Sequence, residues 1–303
     1  MERYDIAVVG AGPAGMTAAL YAARAGKRVL LLEEQFYGGQ IVNSRLVENY
    51  PGAPKINGYD LAEQMLSQLR DVGVGVTSGG VADLKRDGAD FRLITGKTEY
   101  TARAVILATG VTHRKLGVPG EERLIGGGVS FCATCDGMLY RGRDVAVVGG
   151  GNTAVQDALV LAELCNRVYL IHRRNEFRAE AGLVARMKAN PKIEVITPAT
   201  VLEMHGSQRL ERLTLSMTES GETRELEVAG VFEAVGSLPK NQAFSSLVGL
   251  DEAGYLLADS ECQTSVPGIF AAGDCRQKKV RQLTTATADG TVAALAAVEY
   301  LDA

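Results

Sequence analysis

The stretch DIAVVGAGPAG, Asp5 to Gly15, decides the fold because it occurs twice: DVAVVGGGNTA follows at Asp144 to Ala154. Asp5 matches Asp144, Gly10 matches Gly149 and Gly12 matches Gly151, all at one constant offset. Each copy is a β-branched run, a glycine turn and a helical pattern, TAALYAARAG in the first and AVQDALVLAELC in the second. A second strand then follows, KRVLLLE or NRVYLIH, which completes a βαβ unit. The glycines read as GxGxxG and GxGxxA. Gly10 and Gly149 permit the tight turn, Gly12 and Gly151 let backbone N–H groups approach a pyrophosphate, and Gly15 or Ala154 lets helix and strand pack closely. The helix then turns its positive dipole end toward the phosphates.

The end of the second strand separates the two copies. In the first it is Glu33, a carboxylate placed to accept hydrogen bonds from ribose hydroxyls. In the second the equivalent residue is His172, followed by Arg173, Arg174 and, one helical turn on, Arg178. A carboxylate there would repel a 2′-phosphate, whereas guanidinium groups bind it with charge-assisted bonds. The first site therefore suits FAD or NAD, and the second suits NADPH.

The rest of the chain fits around these units. RAVILATG (Arg103–Gly110) and GIFAAGDCR (Gly268–Arg276) are strands running into turns, and RQLTTATADGTVAALAAVEYL is a long apolar-faced helix. Residues 74 to 100 and 193 to 229 read as two strand meanders. The expected fold is α/β, two Rossmann-like three-layer dinucleotide-binding domains with the second inserted into the first. The boundaries expected are 1–113 with 243–303 for the first dinucleotide-binding domain, the one suited to FAD or NAD, and 114–242 for the NADPH-type domain that carries a CxxC.

The chain of 303 residues has room for about two domains with full cores. Its net charge of −4, from 32 basic and 36 acidic residues, excludes a basic nucleic-acid binder. No run approaches the roughly 18 apolar residues of a membrane helix, and the first residues lead into a strand rather than a signal peptide. Neither nucleic acid nor membrane is an expected partner, and the expected location is the cytoplasm.

SFCATCDGMLY, residues 130 to 140, holds Cys132 and Cys135. Such a pair is a metal clip, a structural bridge or a working dithiol. A reducing compartment and an odd total of five cysteines disfavour a structural bridge. Zinc normally takes four ligands, but Cys165, Cys262 and Cys275 are scattered, and His113, His172 and His205 form no HxxxH. No metal site is expected.

Over essentially its whole length the sequence closely resembles the low-molecular-weight bacterial thioredoxin reductases, within the pyridine nucleotide–disulfide oxidoreductases. GAGPAG, YGGQ, VENYPG, ATG, CATCDG, GGGNTAV, HRRNEFRAE, QTSVPGIFAAGDC and RQ stand in the order of that family. CATC just before the second glycine turn is the specific mark, since the glutathione reductase group carries its dithiol in the FAD domain. The resemblance implies FAD contacts from Gly10, Gly12, Gly15, Glu33, Gln40, Asn49, Gly110, Asp274, Arg281 and Gln282. It implies NADPH contacts from Gly149, Gly151, Asn152, Thr153, His172, Arg173, Arg174 and Arg178. It further implies that Cys135 faces the flavin, that Cys132 attacks the acceptor and that Asp136 donates the proton. The expected reaction passes electrons from NADPH through FAD and the dithiol to thioredoxin, in a homodimer. A flavin-dependent dithiol oxidase, or a reductase of another small dithiol protein, shares most of these features. One dithiol that has to meet both a flavin and a protein substrate further implies rotation of the inserted domain between half-reactions.

Overall fold

The computed structural model describes residues 2–44, 46–53, 55–96 and 98–303. β1 (Arg3–Val9), α1 (Pro13–Arg24) and β2 (Val29–Glu33) form the first βαβ unit, with Ile6 opposite Val29 and Val9 opposite Leu32 in parallel register. Ile6 and Val8 point to one side of the sheet and Ala7 and Val9 to the other, all of them buried. A strand covered on both faces has to be apolar throughout, which is why IAVV shows no polar alternation.

After α2 (Gly58–Asp71) come β3 (Val76–Ser78), β4 (Val81–Asp87), β5 (Asp90–Thr95) and β6 (Glu99–Leu107). The sheet runs β3-β2-β1-β6-β5-β4, and a strand from the C-terminal part of the chain pairs with the far end of β6. On one face lie α1, α2 and the C-terminal helix, packed through Met16, Ala18, Leu66, Ala293 and Ala297. On the other lie Leu84, Phe91 and Leu93 of the antiparallel meander, with Phe244, Val248 and Leu256. Each such fully buried aliphatic or aromatic side chain contributes about 1.5–3 kcal/mol.

The chain leaves along β7 (Val111–His113) and passes α3 (Glu121–Leu124), β8 (Val129–Ser130) and α4 (Ala133–Asp136). β9 (Asp144–Val148), α5 (Asn152–Leu164) and β10 (Arg167–Ile171) then repeat the βαβ unit, followed by α6 (Ala181–Lys188) and β11 (Ile193–Ile196). β12 (Ala199–His205), β13 (Arg212–Met217) and β14 (Thr223–Glu227) form an antiparallel meander before β15 (Gly230–Glu233) rejoins the parallel sheet, in order β11-β10-β9-β15-β8. One face packs on α4, α5 and α6, the other on the meander, as in the first unit. β16 (Ser237–Pro239), β17 (Ile269–Ala271) and α7 (Leu283–Asp302) complete the chain, with β17 the strand that pairs with β6.

The chain divides into two units, the second running from His113 to Ser237 and the first made of the residues on either side. The return crossing lies at 237/238, not at 242/243. The buried Asn241 explains the difference. Its side chain donates to Gly254 and Cys275 carbonyls at 2.9 Å each and accepts the Thr109 hydroxyl at 2.8 Å, so it belongs to the first core.

The second unit carries an acid in its core. Glu233, 4% exposed, ends β15. Burial, and then the nearby Glu121, raise its carboxyl to about 9. Glu121, 1% exposed, is occupied in accepting the N–H groups of Leu116, Gly117 and Val118. The folded chain therefore holds a proton that the unfolded chain releases above the ordinary glutamate range. The associated stability is complete at acid pH and declines, on the order of 1.4 kcal/mol per pH unit, until the folded value near 9 is passed. Glu233→Gln is expected to flatten this decline. Denaturant unfolding at pH 6 and pH 9 checks it, since parallel losses in both proteins would place the alkaline sensitivity elsewhere.

Candidate functional site

In the first unit, β1 ends at Gly10, whose φ of +107° and approach to the Ala108 carbonyl leave no place for a Cβ. The turn delivers Gly12 as N-cap of α1 with no side chain capping it, so the first-turn N–H groups face outward. Gly15 packs directly over Gly10, and Gly12 lies against Gly39 of the YGGQ loop. Glu33 stands at the end of β2. One oxygen accepts the Ala11 N–H at 2.7 Å and the other the Gln35 N–H at 3.0 Å, which fixes the carboxylate and leaves further lone pairs for hydroxyl donors.

The remaining residues of this set are joined to that turn contact by contact. Gln40 donates to the Val111 carbonyl at 3.2 Å, beside Gly110, and Asn49 donates to Gln282 at 3.3 Å. Gln282 is the N-cap of α7, in a capping box with Thr285. Arg281 lies over the Tyr255 ring at 4.2 Å and donates to the Asp274 carbonyl at 3.3 Å. The Oδ1 of Asp274 is buried without a partner, and burial raises that carboxyl. A bound hydroxyl or ring N–H would satisfy it. Asp289 had no signal in the sequence. From α7 it accepts the Gly273 N–H at 3.0 Å and Lys278 at 2.8 Å, and so clamps the turn that carries Asp274.

The second unit repeats the design with other chemistry. Gly151 is the uncapped N-cap of α5, which begins with Asn152 and Thr153, and Gly149 closes against the Ala234 carbonyl. His172 is buried and stacked on Phe177, with centroids 5.3 Å apart. Its Nε2 has no partner; burial disfavours its charged form, a backbone hydrogen bond at Glu176 opposes this, and Arg173, Arg178 and Arg174 add to the effect of burial. All three arginines are exposed, and none is paired with a carboxylate among the described residues. Gly150, passed over in the sequence, is what admits this histidine, since a Cβ would fall 2.2 Å from the ring. Asn152 is bound to Glu180 in both directions, at 3.1 and 2.8 Å, which holds the arginine loop to the start of α5. Unpaired cations, an unsatisfied ring nitrogen and free helix N–H groups fit a phosphorylated dinucleotide. FAD fits the first unit by the uncapped α1, the held Glu33 and the bare Asp274.

Cys132 and Cys135 are joined as a disulfide. The Cys132 sulfur accepts the Cys135 N–H at 3.2 Å and lies 3.3 Å from the Thr134 hydroxyl, contacts that favour a thiolate once the bond opens. Asp136 is close behind. Burial raises its carboxyl, and the Ser130 hydroxyl, donating at 2.6 Å, opposes the shift. The other three cysteines are free and buried. Burial pushes Cys165 and Cys262 to about 11, and Cys275 donates to the Leu107 and Ala272 carbonyls at 3.3 and 3.2 Å. His113 stacks on Phe131 at 4.6 Å, and His205 bonds Thr214 at 2.7 Å, partners that sequence reasoning did not find. No metal-ligand cluster and no helix long and apolar enough to cross a membrane occurs among the described residues.

Residues 4–290 match the family of pyridine nucleotide-disulphide oxidoreductases. The chain is 44% identical to a thioredoxin reductase of Listeria innocua, over 99% of this chain and 94% of that protein. It is 41% identical to a thioredoxin reductase of Bacillus subtilis, over 99% and 95%. The crystal structure of thioredoxin reductase from Streptococcus pyogenes is similar at a TM-score of 0.96 and 40% identity, covering 99% of this chain and 98% of that one.

Thiol counting checks the cysteine assignment. The native oxidised protein is expected to show no thiol reactive toward an aromatic disulfide reagent, the denatured one three, and the reduced, denatured one five. A reactive thiol in the native oxidised protein would place one of the three buried cysteines at a surface.

Proposed function

Because this chain belongs to the pyridine nucleotide-disulphide oxidoreductases, and within them to the low-molecular-weight bacterial thioredoxin reductases, we infer that it is an FAD-dependent, NADPH-consuming thioredoxin-disulfide reductase. The observation that carries this reading is the Cys132–Cys135 disulfide set beside a buried acid, in the same unit as the unpaired arginines. When bound, FAD supplies the two-electron relay between NADPH and the disulfide.

The proposed roles of the chain's own residues follow from their chemistry. Arg173, Arg174 and Arg178 select the 2′-phosphate, and the α5 N-terminus takes the pyrophosphate. In the first unit the α1 turn, Glu33, Gln40, Asn49, Gly110, Asp274, Arg281 and Gln282 hold the flavin nucleotide. Two electrons and two protons open the Cys132–Cys135 bond. Cys132, as thiolate, attacks one sulfur of the partner disulfide; that bond breaks, a mixed disulfide forms, and the departing thiolate takes a proton from Asp136. Cys135 then attacks Cys132, restoring the bond and releasing the second partner thiolate. Reduction and exchange are proposed to alternate by rotation about the β7 and β16 crossings, in a protein placed in the cytoplasm and, as the resemblance implies, a homodimer. A covalent tether between the units is then expected to abolish steady-state turnover, and normal turnover of the tethered protein would remove rotation from the cycle.

The decisive assay is anaerobic oxidation of NADPH and NADH with a panel of disulfide proteins; no consumption with any thioredoxin would overturn the reading. Neutralising Arg173 and Arg174 together is expected to raise the KM for NADPH at least about tenfold with little change for NADH, since each charge-assisted bond contributes roughly 1.5–3 kcal/mol. Equal losses for both nucleotides would mean that the arginines support the fold rather than the phosphate.

A further inference from the structure

Ser130 opens the SFCATCDGMLY stretch without a role of its own there, yet its hydroxyl touches both the Cys132 backbone and Asp136. It lies in β8, 4% exposed, paired with Phe232 of β15, itself fully buried. From that rigid position the hydroxyl donates to Asp136 Oδ2 at 2.6 Å and accepts the Cys132 N–H at 3.2 Å. A hydroxyl has one proton, so while Asp136 is ionised both capacities have a defined use. We propose that Ser130 is the positioning residue of the exchange reaction, fixing the proton-donating carboxyl and the backbone of the attacking cysteine relative to one another through a single side chain. The proposal rests on the reading of Cys132–Cys135 as the working dithiol.

The chemistry of the contact sets its direction. A hydroxyl that donates to a carboxyl favours the ionised form, whereas burial favours the protonated form. At Asp136 burial is the larger effect and Ser130 the opposing one. The other titratable groups on the elements around it are Asp157 and Glu163 of α5, Tyr140 and Arg141 after α4, Glu233 of β15 and the two cysteines. None of these is a cause of the Asp136 shift, which burial and Ser130 set between them. Ser130 thus keeps the acid from being locked in its protonated form, so that Asp136 can give up a proton to the departing thiolate and regain it in each cycle.

Ser130→Ala, Ser130→Thr and Asp136→Asn test this in the flavin-loaded protein. The first readout needs no turnover: carbon-13 NMR titration of aspartate carboxyls in the oxidised protein, with Asp136 identified by its absence in Asp136→Asn. The Asp136 midpoint is expected to rise in Ser130→Ala and to return in Ser130→Thr. The second readout is the pH profile of oxidation of the pre-reduced protein by a bacterial thioredoxin disulfide. Its alkaline limb should move up with the midpoint in Ser130→Ala. Asp136→Asn should slow exchange by about a hundredfold or more, and adding Ser130→Ala to it should not displace the limb further. An unchanged midpoint with a uniformly slower rate would reduce Ser130 to a packing role and overturn the proposal. If Ser130→Ala does not fold, Ser130→Gly carries the same comparison. Failure of the wild-type protein to reduce any thioredoxin sinks the functional reading instead, while the NMR midpoint still decides whether Ser130 governs Asp136.

Discussion

Both units depend on one close approach, that of the glycine turn after the first parallel strand to the end of the strand beside it, with no side chain between them. At Gly10 the backbone lies so near the Ala108 carbonyl of the neighbouring strand that any Cβ would overlap it. The approach brings β6 against β1, and so closes the sheet, while it leaves the first turn of α1 uncapped. Fold and ligand affinity therefore come from the same backbone. A side chain that filled the turn would destroy both the packing and the row of N–H groups that suits a pyrophosphate.

Given that scaffold, the two units differ most at the end of the second strand. β2 and β10 end at equivalent places, yet Glu33 is held open by two backbone N–H groups, while His172 is driven into the core under three arginines. The histidine is possible only because Gly150 yields the space. The loop beyond it is held by Asn152, which the sequence presented as a ligand contact and the structure also ties to Glu180. One supersecondary unit thereby carries two different sets of side chains at the same place, and the proposed difference in nucleotide rests on them.

The architecture was legible because its signals are local. Glycine spacing, continuous apolar strands and the repeat itself all lie within windows of about thirty residues, and each βαβ element formed where its pattern placed it. What escaped depends on residues distant in sequence. Asn241 joins the first core through Thr109, more than a hundred positions away, and so moves the crossing to 237/238. Asp289 reaches the Gly273 turn from the middle of a helix that reads as apolar throughout. Ser130 looked like an ordinary strand residue, because nothing in SFCATCD says that the chain turns back to bring Asp136 onto its hydroxyl.

The buried carboxyls show why such contacts decide chemistry rather than fold alone. Water removal favours the neutral form of a buried carboxyl, and hydrogen-bond donors beside it oppose that. Glu233, against another carboxyl, is raised to about 9 and is a neutral acid throughout the physiological range. Glu121 next to it meets three backbone N–H groups and serves as an acceptor that shapes the 116–118 loop. Asp136 is desolvated, which raises its carboxyl, but one hydroxyl donor opposes that shift. Exchange between disulfides needs an acid that is protonated when a thiolate departs and recovers its proton afterwards. A carboxyl with no donor would hold its proton too tightly, and one with several would rarely carry it. A single serine hydroxyl beside the CxxC meets both demands at once.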